Sequence, residues 1–148
     1  MAGEYRPCVV GVFTNAEGRV LVCERSDVAG AWQFPQGGIE PGEMALNALY
    51  REMKEELGCD DFKVICQSPL DVRYKFPENL ESKIKKKWIG QSQIWFKLVF
   101  LPNCAPDMSQ ADGEFQDYKW VTVEESLEHI VSWKKNAYME GLKEIGLL

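Results

Sequence analysis

Three glutamates, Glu52, Glu55 and Glu56, fall close together in a stretch with helical periodicity. Each residue of an α-helix turns by about 100°, so Glu52 and Glu56 stand one turn apart, with Glu55 on the adjoining flank. Like charges at that spacing repel unless water screens them or a cation binds them. An oxygen-only cluster suits a hard divalent cation. Mg²⁺, or Mn²⁺ or another divalent ion in its place, keeps several waters and bridges carboxylates to substrate phosphates. On its own the same trio is also the ordinary signature of a solvated helix face. His129, the only histidine, offers no rival centre, because it lies in an apolar-flanked helical segment.

The elements that must position these acids can be read from the pattern. From about Glu43 to Leu57, the residues Leu46, Leu49, Tyr50, Met53 and Leu57 share one helical face, and Gly58 follows where a helix end favours a left-handed residue. Cys8–Phe13 and Val20–Cys23 read as strands, with turn chemistry at 14–18 between them, and so predict a hairpin. Further strands are predicted at Trp32–Phe34, Phe62–Cys66, Val72–Phe76, Ile94–Leu101 and Tyr118–Val121. Thr122 with Glu125 is a capping-box signature for a short helix. A last helix begins after Ser132, with Tyr138, Gly141, Leu142 and Ile145 facing inward. This irregular alternation predicts an α/β domain spanning residues 1–148, a mixed β-sheet between helices.

Charge narrows the partners. The net charge of −6 argues against a general coat for duplex DNA. It is unevenly spread, however. Between Gly37 and Asp60, six acids face two bases; between Asp71 and Lys97, three acids face seven bases, including the run Lys83–Lys87. The first stretch suits cations, the second suits anions, and two solvated faces of opposite sign fit the same count. The five cysteines form no close pair and no zinc spacing, so they read as small core residues in a reduced, cytoplasmic protein. No apolar run approaches membrane-spanning length and no signal core stands at the start, so no membrane partner is expected.

The stretch from Gly37 to Cys59 resembles the signature of the Nudix hydrolases. Gly37, Glu43, Arg51, Glu52, Met53, Glu55, Glu56 and Gly58 fall on its fixed positions, and Cys59 stands where an aliphatic residue is usual. Around it, Tyr5-Arg6-Pro7, Trp32 to Gly38, Arg73-Tyr74-Lys75, Ile89 to Phe96, Glu114-Phe115 and Val131-Ser132-Trp133-Lys134 are similar to a subfamily. That subfamily contains RNA pyrophosphohydrolases and plant-type diadenosine tetraphosphate hydrolases. The resemblance runs through essentially the whole chain, in order.

It implies an α/β/α Nudix fold whose loop–helix–loop box, residues 37–59, binds divalent metal. By carry-over, Glu52, Glu56 and Glu114 hold the cations, and Glu52 or Glu55 accepts the proton of the attacking water. Gly37 and Gly38 let the backbone approach metal or phosphate, while Glu43, Arg51 and Gly58 secure the box. Arg6, Arg25, Tyr74, Val131, Trp133 and Lys134 contact substrate, with Trp133 replacing a common phenylalanine as a stacking surface. Arg25 is followed by Ser26-Asp27 where RNA-cleaving members often carry a second arginine, and Glu114 is followed by Gln116-Asp117-Tyr118 where Asp-Gly-Trp is usual. The implied substrates are a 5′-triphosphorylated RNA end, giving pyrophosphate and a 5′-monophosphate, or a dinucleoside polyphosphate such as diadenosine tetraphosphate, giving ATP and AMP. No obligate protein partner is implied. The alternatives are a Nudix-like domain that binds nucleotide or RNA ends without cleaving them, and a nucleoside triphosphatase that sanitises the nucleotide pool. The first usually lacks box carboxylates that are present here; the second leaves the flanking segments unexplained.

Overall fold

Alternation along the strands decides which layer each residue joins. In the computed structural model, which describes residues 4–78 and 87–148, strand β1 (Glu4–Phe13) sends Val10 and Val12 into one apolar cluster and Val9 and Phe13 into another. Strand β2 (Val20–Arg25) divides in the same way, Val20 and Val22 from Leu21 and Cys23. The second cluster is closed by Ala48, Leu49, Met53 and Leu57 of helix α1 (Ala45–Leu57). The first is closed by Val123 of helix α2 (Val123–Glu128) and by Ala137, Tyr138 and Leu142 of helix α3 (Ser132–Glu144). Strands buried on both faces between helices give the expected α/β arrangement.

The remaining strands are β3 (Trp32–Gln33), β4 (Gln36–Gly38), β5 (Phe62–Gln67), β6 (Val72–Lys75), β7 (Trp88–Phe100) and β8 (Phe115–Val121). They form two sheets. One runs β4-β1-β7-β5, with β6 also paired to β7; the other runs β3-β2-β8. Among the described residues, only β1 and β7 pair in parallel. The length of β7 explains its two antiparallel partners on one edge: Gly90–Gln93 face β6, and Phe96–Phe100 face β5.

The predicted hairpin of β1 and β2 does not form. The chain does reverse at Asn15, whose amide donates to the Arg19 carbonyl at 3.1 Å, but a single bridge, Thr14 to Val20, joins the two strands. Both edges of β1 are already taken by β4 and β7, so β2 enters the second sheet. The predicted helix over 43–57 starts at Ala45, and Leu46, expected inward, is 45% exposed in its first turn. Its end is as expected. Gly58 adopts φ 71°, and its amide donates to the Lys54 carbonyl at 2.8 Å. A side chain at Gly58 would strike the Asp107 carbonyl. The capping box also forms: Thr122 Oγ1 accepts from the Glu125 amide, and Glu125 Oε1 accepts from the Thr122 amide, both at 3.1 Å.

Cys8 and Cys23 are buried free thiols as expected, but Cys59 and Cys104 are joined in a disulfide across 45 residues. Linear spacing cannot reveal a pairing that only the fold brings together. No helix among the described residues is long and apolar enough to cross a membrane.

Candidate active site

The face of the larger sheet that carries Val10 and Trp95 continues outward into polar residues. Side chains two apart on a strand share a face, so each row of paired residues crosses the sheet on one side. Arg6, Gln91 and Tyr74 form one row across β1, β7 and β6. Gly38, Cys8, Gln93 and Val72 form the next, and Gln36, Val10 and Trp95 the third. The outer residues of these rows open into a cleft of about 520 Å³. Arg6, Cys8, Gln36, Gly37, Gly38, Tyr74 and Gln91 line it from the sheet. Glu52 reaches it from α1, Arg25 from β2, Glu114 from the approach to β8, and Trp133 and Lys134 from α3.

Close approach explains the two glycines of β4. A Cβ on Gly37 would overlap the Glu52 carboxylate, and one on Gly38 would stand 2.6 Å from Arg6 Nη2. Bare backbone at these positions therefore lets an acid and a cation reach the cleft from opposite sides. Arg51 secures the acid side. Its Nε and Nη2 donate to the two oxygens of Glu43 at 2.9 and 2.8 Å, Nη1 donates to Glu52 Oε1 at 2.7 Å, and Nη2 also donates to the Gly38 carbonyl at 2.9 Å. A fork that satisfies three groups does more than an ordinary surface ion pair. The Arg51 guanidinium holds the Glu43 carboxyl down to about 2, and Glu43 Oε1 also accepts from the Glu40 amide.

The acids themselves are unlike one another. Glu55 is exposed, 3.6 Å from Arg51, and does not line the cleft. Glu52 lines it, and burial raises its carboxyl above the ordinary value despite the neighbouring Arg51. Glu56 is completely buried and does not itself line the cleft; its carboxyl meets the Glu114 carboxyl and the Gln36 backbone amide, and among the described residues it has no cationic partner. Burial, and after it the charge of Glu114, push its pKa well up. An uncompensated buried carboxylate costs several kcal/mol, so a cation is the complement this site lacks. The donor set of Glu52, Glu56 and Glu114 is all oxygen, as hard divalent ions require. Among the described residues, no three acidic, histidine or cysteine side chains are already gathered around one point.

Glu114 lies on a secured loop although its following residues depart from the expected pattern. The Ser26 amide and hydroxyl donate to the carbonyls of Glu114 and Gly113 at 2.9 and 2.7 Å. The Asp112 amide donates to the Glu55 carbonyl, and the Asp107 amide to the Leu57 carbonyl, each at 2.7 Å. Ser26, one of the two departures, is thus the residue that anchors the other.

The cleft is also lined by cations. Lys134 is half-buried, with Nζ 5.2 Å from the centre of the Trp133 ring. Burial and then the charge of Arg25 bring its pKa down to about 8. Arg25 is itself engaged: Asp27 takes Nε at 2.9 Å and Nη2 at 2.5 Å. Tyr74 stands 5.7 Å from Trp133, and its buried hydroxyl has no partner among the described residues. Phe76 completes this aromatic group, 6.1 Å from Trp133. Val131 is exposed and does not line the cleft; its carbonyl accepts from the Lys134 amide at 3.0 Å. Most of the Lys83–Lys87 run lies outside the described residues. Sequence reasoning missed the cleft residues Cys8, Gln33, Gln36, Phe76 and Gln91. The alternation of Gln91, Gln93 and Trp95 was a usable signal, since polar residues on a face that also carries a buried tryptophan need partners.

Comparison with known proteins places the chain. Residues 4–140 match the NUDIX domain model. The chain is 38% identical over 146 residues to an RNA pyrophosphohydrolase of Campylobacter jejuni strain 81-176, covering 94% of this chain and 91% of the relative. It is 37% identical over 152 residues to Nudix hydrolase 25 of Arabidopsis thaliana, with 96% and 86% covered. The fold is similar to a solved C. elegans Ap4A hydrolase complex, with TM-score 0.63, 20% identity, and 91% and 93% of the chains covered.

Proposed function

The chain belongs to the NUDIX family, and from that premise we propose that its cleft hydrolyses a polyphosphate attached to a nucleotide, with the 5′-triphosphate end of RNA as the preferred substrate. The reaction would release pyrophosphate and leave a 5′-monophosphate. The observation that carries this reading is a cleft lined by both signs, Glu52 and Glu114 together with Arg6 and Lys134, with the buried Glu56 carboxyl next to Glu114. The relatives named RNA pyrophosphohydrolase support the choice of RNA.

Glu52, Glu56 and Glu114 would hold a divalent cation, Mg²⁺ by preference. Such an ion lowers the pKa of bound water and neutralises phosphate charge. Glu52 is favoured over Glu55 as proton acceptor because only Glu52 lines the cleft, and its Oε2 is the oxygen Arg51 leaves free. Lys134 and Arg6 bind and orient the phosphate chain, and the Tyr74 hydroxyl is a further donor. Trp133, Tyr74 and Phe76 offer flat faces to a base.

One feature favours diadenosine tetraphosphate as a second substrate. Asp27 occupies the Arg25 fork beside the position where RNA-cleaving members often carry another arginine. A pure binding domain has no need of the complete acid set seen here. The deciding experiment replaces Glu56 by Gln and follows pyrophosphate release from triphosphorylated RNA, and ATP and AMP from diadenosine tetraphosphate, with and without Mg²⁺. A folded E56Q protein should lose both activities, and wild-type rates on the two substrates rank them. Near-wild-type turnover by E56Q overturns the proposal.

A further inference from the structure

Gln93 is 1% exposed, and every polar atom of its side chain is engaged. Its Oε1 accepts from Trp95 Nε1 at 3.0 Å. Its Nε2 donates to Gln91 Oε1 at 2.9 Å and to Gln36 Oε1 at 3.2 Å. A carboxamide has two ends of similar shape, so its orientation must be argued from its partners. Here one partner decides it. An indole N–H can only donate, so the end of Gln93 that meets Trp95 is the carbonyl. The amino end then meets Gln91 and Gln36, which must both present carbonyls.

Trp95 is itself immovable. It is completely buried, with Phe34 and Tyr138 edge-on at 5.7 and 5.3 Å and Gly141 directly beneath its ring. The chain of constraint therefore starts in the core and ends at the cleft. Gln91 and Gln36 both line the cleft, and among the described residues neither amide nitrogen donates to a protein group. With their carbonyls turned inward, their NH₂ groups are what the cleft receives.

We propose that Trp95 and Gln93 act as a polarity relay that makes Gln36 and Gln91 donors toward a phosphate chain. Phosphate oxygens are chiefly acceptors, with at most a proton on the terminal group at neutral pH, so a site that could present either end of two amides is committed to the end an oxyanion needs. Gln91 stands beside Arg6 and Tyr74 in one row across the sheet, which puts this donor among the groups assigned to substrate. Gln36 and Gln91 are binding residues in this scheme; Gln93 and Trp95 are positioning residues. The inference rests on the cleft binding polyphosphate, as proposed above.

The test is a titration of uniformly ¹⁵N-labelled protein with inorganic tripolyphosphate, without divalent cation. Side-chain NH₂ signals of Gln36 and Gln91 should shift together with the Arg6 Nε signal, while the Gln93 NH₂ and Trp95 Nε1 signals stay in place. If Arg6 responds and neither glutamine does, the relay is overturned while phosphate binding stands. If none responds, the substrate reading fails as well. In the second arm, Gln91→Met removes one donor at similar volume and should raise KM for the polyphosphate about tenfold with kcat within twofold. An unchanged KM, or a loss confined to kcat, counts against the relay. Gln93→Glu places an acceptor where the relay needs a donor. It should turn the Gln91 and Gln36 amides round, so that their NH₂ signals no longer respond to tripolyphosphate. If they respond as before, Gln93 does not set their direction.

Discussion

Lys134 should be a residue the fold would be more stable without. Its ammonium is half-buried beside a second cation, Arg25, and its pKa falls from 10.5 to about 8. At about 1.4 kcal/mol per pH unit, that fall corresponds to roughly 3 kcal/mol of destabilisation while the lysine is charged in both folded and unfolded chains. Lys134→Met keeps the stem and removes the charge. At pH 7 it should raise the melting temperature by up to roughly 6–12 °C, taking about 2–4 °C per kcal/mol for a chain of this size. The pH dependence has a definite sign. The penalty is full below about 8, where both states carry the charge. It fades between there and 10.5, where the folded lysine has shed its proton and the unfolded one has not. Melting curves of the two proteins from pH 6 to 10.5 should therefore converge. The same substitution should raise KM for a polyphosphate by about 10- to 100-fold, the worth of one hydrogen bond to a charged group. A K134M protein that melts at or below wild type at pH 7, or a gap that persists undiminished to pH 10.5, would refute the reasoning.

Three further outcomes follow from the acid side of the cleft. Gly37→Ala drives a methyl group into the Glu52 carboxylate, and steady-state kinetics should show kcat/KM reduced about 100-fold, since misplacement by about 1 Å has that effect. Arg51→Lys keeps the charge but loses the fork to Glu43, Glu52 and Gly38, and should lower the melting temperature by roughly 5 °C. For Glu56, whose folded pKa is raised, stability is lost as pH rises from the ordinary carboxylate range through that raised value. Cation-free E56Q should thus melt higher than wild type at pH 8, and Mg²⁺ or Mn²⁺ should raise the melting point of wild type alone. Differential scanning fluorimetry with EDTA as reference checks both halves.

The box was legible because local periodicity and spacing specify it. α1 turns the interval between Glu52 and Glu56 into neighbouring positions, and Gly58 ends the helix by its own φ. Most strands were legible for a related reason, the alternation that a sheet buried on both faces demands. β4 was not, because Gly37 and Gly38 read as a stop, and β1 and β7 begin at Glu4 and Trp88, ahead of the expected Cys8 and Ile94. Pairing was not legible. The turn at Asn15 announces a reversal but says nothing of which edges of β1 remain free, so the hairpin with β2 was misread. The Cys59–Cys104 disulfide was invisible for the same reason, as was the exposure of Leu46, which depends on what α1 packs against. At the site, residue types foretold the acids and cations. They did not foretell that Glu55 would turn away from the cleft while Glu56 became completely buried against Glu114. Those differences come from depth below the surface, which a linear pattern does not encode.

The loop that carries Glu114 hangs from α1 by the Asp107 and Asp112 amides and by the disulfide next to Gly58. Although most of this segment is irregular, its anchoring amides can exchange with deuterium only when the end of the helix opens. Loop and helix therefore constitute one cooperative opening unit, and the amides of Asp107 and Asp112 should share the protection of the last turn of α1. Arg25 is tied to the same loop through Ser26 and its pairing with Phe115, whereas Lys134 comes from α3. Opening that end of α1 therefore loosens Glu56 and Glu114 together, the two acids whose carboxyls meet.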